Sequence, residues 1–202
     1  MDYLYKTAQK VEKVFAELDK EIEIFQEHTG LHCTARCNMC CMKKNLETSV
    51  LEFLPLAIHL FENNLYEQFF DELAKGQDYC ICLSNLKVEG QLTGCSQYKY
   101  RGLICRQFGF SGLIGKNGDK KIYTCKTIKT TLPVQYESAM SRINQKLKIP
   151  LASDFQIRMD EIDPIMANDV NFINISIEKA ISKVAYYYTN QPRRPRRIKR
   201  AG

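Results

Sequence analysis

A mainly α-helical chain around a small cysteine-rich β and loop segment, organised as a single metal-centred domain, is the architecture predicted here, on three observations. Apolar residues recur at helical spacing near both ends of the chain. The middle, from about residue 78 to residue 130, changes to short apolar runs broken by glycines. All nine cysteines lie between Cys33 and Cys125, with none in the first 32 or the last 77 residues. At 202 residues, 45% hydrophobic and 26% charged, the chain is long enough for a domain with a real core, and it is neither collagen-like nor low-complexity. No stretch approaches the ~20 consecutive apolar residues of a membrane span. The opening MDYLYKTAQKVEKVFAELDKE has no apolar signal core, so a cytoplasmic location is expected.

Residues 1–30 are read as an N-terminal amphipathic helix. Leu4, Ala8, Val11, Phe15, Leu18, Ile22 and Phe25 alternate at spacings of four and three, and Thr29-Gly30 closes the run. The stripe is expected to pack on the core. A homodimer seam is its alternative use, not favoured because three heptads are marginal for a coiled coil. Residues 31–130 form the cysteine-cluster metal-binding region. It is predicted to hold a helix over Glu47–Asn63, capped by Asn45 and disturbed by Pro55, and a second over Leu65–Ala74 that stops at Gly76. The runs YCICL, LICRQFGF and KIYTCKTI read as short strands and ligand-bearing loops, and Lys116-Asn117-Gly118-Asp119 as a hairpin turn. Residues 131–190 form a C-terminal helical region, with helices over Val134–Leu147 and Ile173–Tyr188 and, between them, a loop with one short helix. Residues 191–202 read as a disordered Arg-rich tail.

The cysteines carry the chemistry. In a reducing compartment, a cysteine-dense chain with an odd count points to metal before disulfides. In Cys33-x3-Cys37-x2-Cys40-Cys41, the Cys37-x2-Cys40 pair has knuckle spacing for zinc or an iron–sulfur cluster. On a helix, at about 100° per residue, all four thiols would share one face. The neighbours Cys40 and Cys41 are expected to diverge and serve two metals. Cys80, Cys82, Cys95, Cys105 and Cys125 then bring the total to two four-thiolate sites with one thiol left over. Inert buried thiols are the plain alternative, and it suits Cys82 best. Cys82 and His32 are additional candidate ligands, although a histidine such as His32 more often bonds to nearby groups. Thiolate sites are negatively charged, and Arg36, Lys43, Arg101, Arg106 and Lys126, one to four residues from cysteines, are placed to offset that charge.

These residues resemble the YkgJ-type cysteine-cluster family, described as a zinc- or iron-chelating domain. The opening Cys33-x3-Cys37-x2-Cys40-Cys41 is similar to the family's, as is Cys95-x2-Tyr98-x2-Arg101-Gly102-x2-Cys105-Arg106-x-Phe108, and Cys125 stands where the family has its last cysteine. Gly102 replaces the family's proline, and Cys82 is extra. The resemblance spans roughly residues 30–130. It implies that Cys33, Cys37, Cys40, Cys41, Cys80, Cys95, Cys105 and Cys125 are the metal set, and it leaves the metal and any reaction open. The Cys33-x3-Cys37-x2-Cys40 spacing is also that of radical S-adenosylmethionine enzymes. Met39 in place of their aromatic residue, and the absence of any Gly-Gly pair, count against membership.

Charge adds one further expectation. Arg193, Arg194, Arg196, Arg197, Lys199 and Arg200 account for the whole net +6, so residues 1–190 are formally neutral. An extended, arginine-dominated arm suits the phosphates of RNA or of a ribonucleoprotein such as the ribosome. No phosphate loop, dinucleotide fingerprint or nucleophile elbow occurs. The reading is therefore a mainly structural zinc or iron–sulfur centre with an RNA-contacting tail. An iron–sulfur redox or cluster-assisted modifying enzyme is the alternative.

Overall fold

The computed structural model describes residues 3–34, 37–84, 87–88, 91–92, 94–123 and 125–190. The Arg-rich tail and Arg36 lie outside them. Among the described residues the chain is mainly helical with three small two-stranded antiparallel sheets.

Helix α1 (Tyr3–Thr29) forms as the periodicity predicts, and Gly30 at φ +69° turns the chain out of it. All seven stripe residues are buried. They pack on α2 (Leu54–Glu62), α4 (Leu103–Gln107), α6 (Pro133–Ile143) and α7 (Ala152–Ile162), so the stripe is spent on the chain's own core.

The expected helix over Glu47–Asn63 is corrected at its start. Asn45 is no cap: it takes the left-handed conformation at φ 57°, and Glu47–Ser49 become strand β1. Ser49 then opens the helical stretch through a Ser-x-x-Glu box, its N–H donating to Glu52 Oε1 at 2.8 Å. A 3-10 turn over Leu51–Phe53 leads into α2. Pro55 sits in the first turn of α2, where its missing N–H costs nothing, so it starts the helix instead of breaking it. Helix α3 (Tyr66–Leu73) follows as predicted, and Gly76 ends the segment at φ +68°.

In the middle, β2 (Lys87–Val88) pairs with β3 (Gln91–Leu92), and β4 (Gly112–Ile114) pairs with β5 (Lys120–Ile122) across the predicted turn, with Gly118 at φ +79°. Two strand readings are corrected. YCICL is a turn joined to Cys95 by a single bridge at Leu83, and the LICRQ of LICRQFGF is α4. Apolar runs this short fit a strand and a buried helical turn equally well. In KIYTCKTI, β5 gives way to α5 (Lys126–Thr131).

The stretch expected to be mostly loop holds α7, α8 (Pro164–Asn168) and β6 (Val170–Phe172). Asp163 caps α8 by accepting from Ile165 N (3.1 Å) and Met166 N (2.9 Å). Strand β6 closes on β1, with Glu47 opposite Phe172 and Ser49 opposite Val170. The last helix, α9 (Ile173–Thr189), lies against α2, and their buried faces form the centre of the core. No described helix is long and apolar enough to cross a membrane.

Candidate metal centre

Loops, not one helical face, present the first four cysteines. Cys37 N donates to Thr34 O (3.1 Å) and Met42 N to Asn38 O (3.1 Å), which coils this segment into tight turns. Backbone bonds then lay the second block against the first. Cys80 N reaches Cys41 O (2.9 Å), and Ser96 N reaches Cys82 O (2.8 Å). Asn174, at the start of α9, pins the same loop by accepting from Ile81 N (2.9 Å) and donating to Tyr79 O (2.9 Å). Cys105 rides inside α4, and Cys125 immediately precedes α5.

The result is convergence of the whole set. A cleft of about 510 Å3 is walled by Cys33, Cys37, Cys40, Cys95, Cys105 and Cys125, together with Tyr98, Arg101 and Phe108. Beside it is a narrow cavity of about 30 Å3, bordered by Cys37, Cys40, Cys41, Cys80, Cys82, Cys95 and Cys105. Cys37, Cys40, Cys95 and Cys105 therefore border both spaces. Cys82, read as the extra thiol, belongs to the inner group. Cys40 borders both spaces, whereas Cys41 borders the inner one and not the outer cleft.

Donor and acceptor thiols are interleaved. Cys41 adjoins Cys40, Cys80 and Cys95, and Cys82 adjoins Cys80 and Cys95, each with a single S–H that serves one of these neighbours at a time. The donors are pushed up and the acceptors held down. Cys40 falls to about 7 on the bond from Cys41. Cys95 falls to about 3 on those from Cys41 and Cys82, and Cys80 is lowered by the same pair. Cys33, although its residue is exposed, is pushed up to about 11 by desolvation first and by Cys37, Cys125 and Cys40 next. Cys105 is raised, chiefly by burial.

Of the cations expected to offset thiolate charge, Arg101 is the one that borders the site among the described residues. It borders both spaces, stacks 4.2 Å over Tyr98, and favours the charged forms of Cys33, Cys40 and Cys95. Its buried Nε has no hydrogen-bond partner among the described residues. Arg106 is corrected. Its donors are committed to Asp19, Lys99 O (2.7 Å) and Arg101 O (3.1 Å), and its guanidinium lies 4.6 Å over Phe15, so it ties α4 to α1. Lys126 is exposed and borders neither space. Lys43 sits 5.0 Å over Phe108. His32 is also exposed and lines neither space, its Nδ1 2.9 Å from Gly30 O.

Sequence reading missed Glu52 and Asn174. An exposed-looking acid in a helical pattern and a lone asparagine carry no signal for a loop brought in from elsewhere. Among the described residues no group of three or more His, Cys, Asp or Glu side chains stands in ready coordination geometry. The donor chemistry nonetheless suits a soft metal: both spaces are bordered by thiols, and no carboxylate or imidazole lines either one.

Set against family models, curated proteins and solved structures, the chain matches none. The site's resources among the described residues are nine thiols in two connected groups, Arg101 facing them, and an aromatic rim of Tyr98, Phe108 and Phe110.

Proposed function

We propose that this chain is a cysteine-cluster metal protein of the YkgJ type, a single metal-centred domain whose thiolates hold zinc or an iron–sulfur cluster in a mainly structural role. One observation carries the reading. Cysteines from sequence stretches almost 100 residues apart each border one or both of two adjoining spaces, with no carboxylate or imidazole among the lining residues. Bound metal would supply cross-links between these loops. Cys37, Cys40, Cys95 and Cys105 are the shared wall from which either site would draw. Cys41, Cys80 and Cys82 complete the inner group, and Cys33 and Cys125 the outer. Arg101 offsets the charge that four thiolates place on a divalent ion.

The test is to purify the chain without oxygen and measure zinc, iron and acid-labile sulfide per chain. About two zinc and no sulfide fits closed four-thiolate sites, while iron with matching sulfide fits a cluster. Metal-free protein with a full complement of reduced thiols and an unchanged melting curve would overturn the reading.

A second reading is favoured by the outer cleft. At about 510 Å3 it is far larger than an ion needs, and it is rimmed by Tyr98, Arg101 and Phe108. An iron–sulfur redox or cluster-assisted modifying enzyme would use such a cleft for its substrate. Reversible reduction of the bound iron, followed spectroscopically, separates it from the structural role.

The basic tail completes the proposal as a contact for RNA or a ribonucleoprotein. Its six cations act on phosphates, with a salt dependence of about 0.7 per neutralised phosphate on a single strand. Deleting residues 191–202 is expected to weaken RNA binding and flatten its salt dependence. Unchanged binding removes the tail from the function.

A further inference from the structure

Glu52 is buried and lies 53 residues before Cys105, yet its carboxylate reaches the helix that carries that thiol. Its Oε1 accepts from Ser49 N (2.8 Å) and Ser49 Oγ (3.2 Å), and its Oε2 accepts from Ile104 N (3.2 Å). The carboxylate thus joins the start of the α2 segment to the first turn of α4, supplying from a distance the cap that Gly102 has no side chain to provide. The approach is close: a Cβ at Gly102 would stand 2.9 Å from Glu52 Oε2 and 2.9 Å from Phe53 Cζ. At its other end α4 is held by Arg106 on Asp19 of α1. Cys105, between these two anchors, is the one cysteine that the described residues carry inside a helix, and it borders both thiol-lined spaces.

We infer that Glu52 is a positioning residue for Cys105, fixing α4 so that this thiol faces the shared wall of the metal centre; the inference rests on the metal reading above. Both carboxylate oxygens take backbone N–H donors, so an amide at this position has an NH2 group where an acceptor is needed. Ser49 Oγ is dispensable to the arrangement, because the Ser49 N–H keeps Oε1 in place.

The experiment has two arms on the full chain. In metal-free, reduced protein, iodoacetamide labelling is mapped by mass spectrometry for Glu52→Gln, Ser49→Ala and, as a destabilised control far from α4, Ile181→Val. Glu52→Gln is expected to speed Cys105 labelling about tenfold, the scale of one lost charged hydrogen bond, with Cys82 unchanged and neither other variant affecting Cys105. Equal acceleration of Cys82 and Cys105, or none at Cys105, overturns the inference. In the second arm, Co2+ binding is followed by thiolate-to-cobalt absorbance. Glu52→Gln is expected to weaken it about tenfold in the parent chain and to add nothing in a Cys105→Ser background. Equal losses in both backgrounds overturn the role toward metal. If the parent chain takes up no Co2+, the metal reading falls, and the positioning of Cys105 is decided by labelling alone.

Discussion

Single positions make the sharpest predictions. Tyr3 donates its phenol to Asp163, and its pKa is raised first by that bond and then by burial and the carboxylate's charge. A group raised in the folded state stabilises fully below its ordinary value near 10 and loses that contribution as pH climbs through the raised one. Tyr3→Phe is expected to cost about 0.5 kcal/mol at pH 7, modest because the ring is exposed, and to match the parent above that range; chemical denaturation at both pH values checks it. Gly102 sits at φ −65°, so it is required by space and not by a left-handed backbone. Gly102→Ala and Gly102→Pro should both destabilise, by about 1–3 kcal/mol as overpacking does, although a proline ring would accept the φ. Thr48 is buried with an Oγ1 that has no partner among the described residues. Thr48→Val is expected to be neutral or up to about 1 kcal/mol stabilising in a thermal melt, since the lost hydroxyl was bonded to nothing.

Elements hold together through a few long-range polar joints. Arg106 makes three bonds with one planar head, to Asp19, Lys99 O and Arg101 O, and so locks α4 onto α1. A lysine cannot reach all three, so Arg106→Lys should lower stability by about 2 kcal/mol. Calorimetric melting of the two proteins tests this. The hairpin β4–β5 shows how much an element can owe to its own sequence, since Asn117-Gly118 sets the turn and Gly118 takes the positive φ. Strand β1 is the opposite case. Thr48 and Ser49 are extended because β6 lies 121 to 125 residues further on and supplies their partners. No local pattern announces it.

Across the molecule, Phe25, Leu54, Leu60, Met159, Ile177 and Ile181 close the core between α1, α2, α7 and α9. The thiol centre packs into that core through Cys41, Cys80, Cys82 and Cys125, but apart from Cys105 in α4 its cysteines sit outside the helices. If the proposed metal is bound, chelating it is expected to raise hydrogen exchange at residues 31–46 and 78–98 while α1, α2 and α9 stay protected. Exchange mapped with and without chelator reads this directly, and uniform deprotection would mean that the metal holds the core as well.

The sequence by itself determined the long helices, the hairpin turn and the gathering of chemistry in the cysteines. Each rests on short-range information: a stripe at 3.6-residue spacing, an Asn-Gly pair, a residue type with few uses in bulk. α1 runs from Tyr3 to Thr29 on those grounds alone. Tertiary structure decided which thiols neighbour which, that Cys82 belongs to the inner group, that Arg101 borders the thiols while both it and Arg106 pair with Asp19, and that Glu52 is buried against α4. Those outcomes depend on chain segments separated by tens of residues. A buried charge chooses its partner by desolvation and by the donors it meets after packing, and neither is written at the residue that carries it.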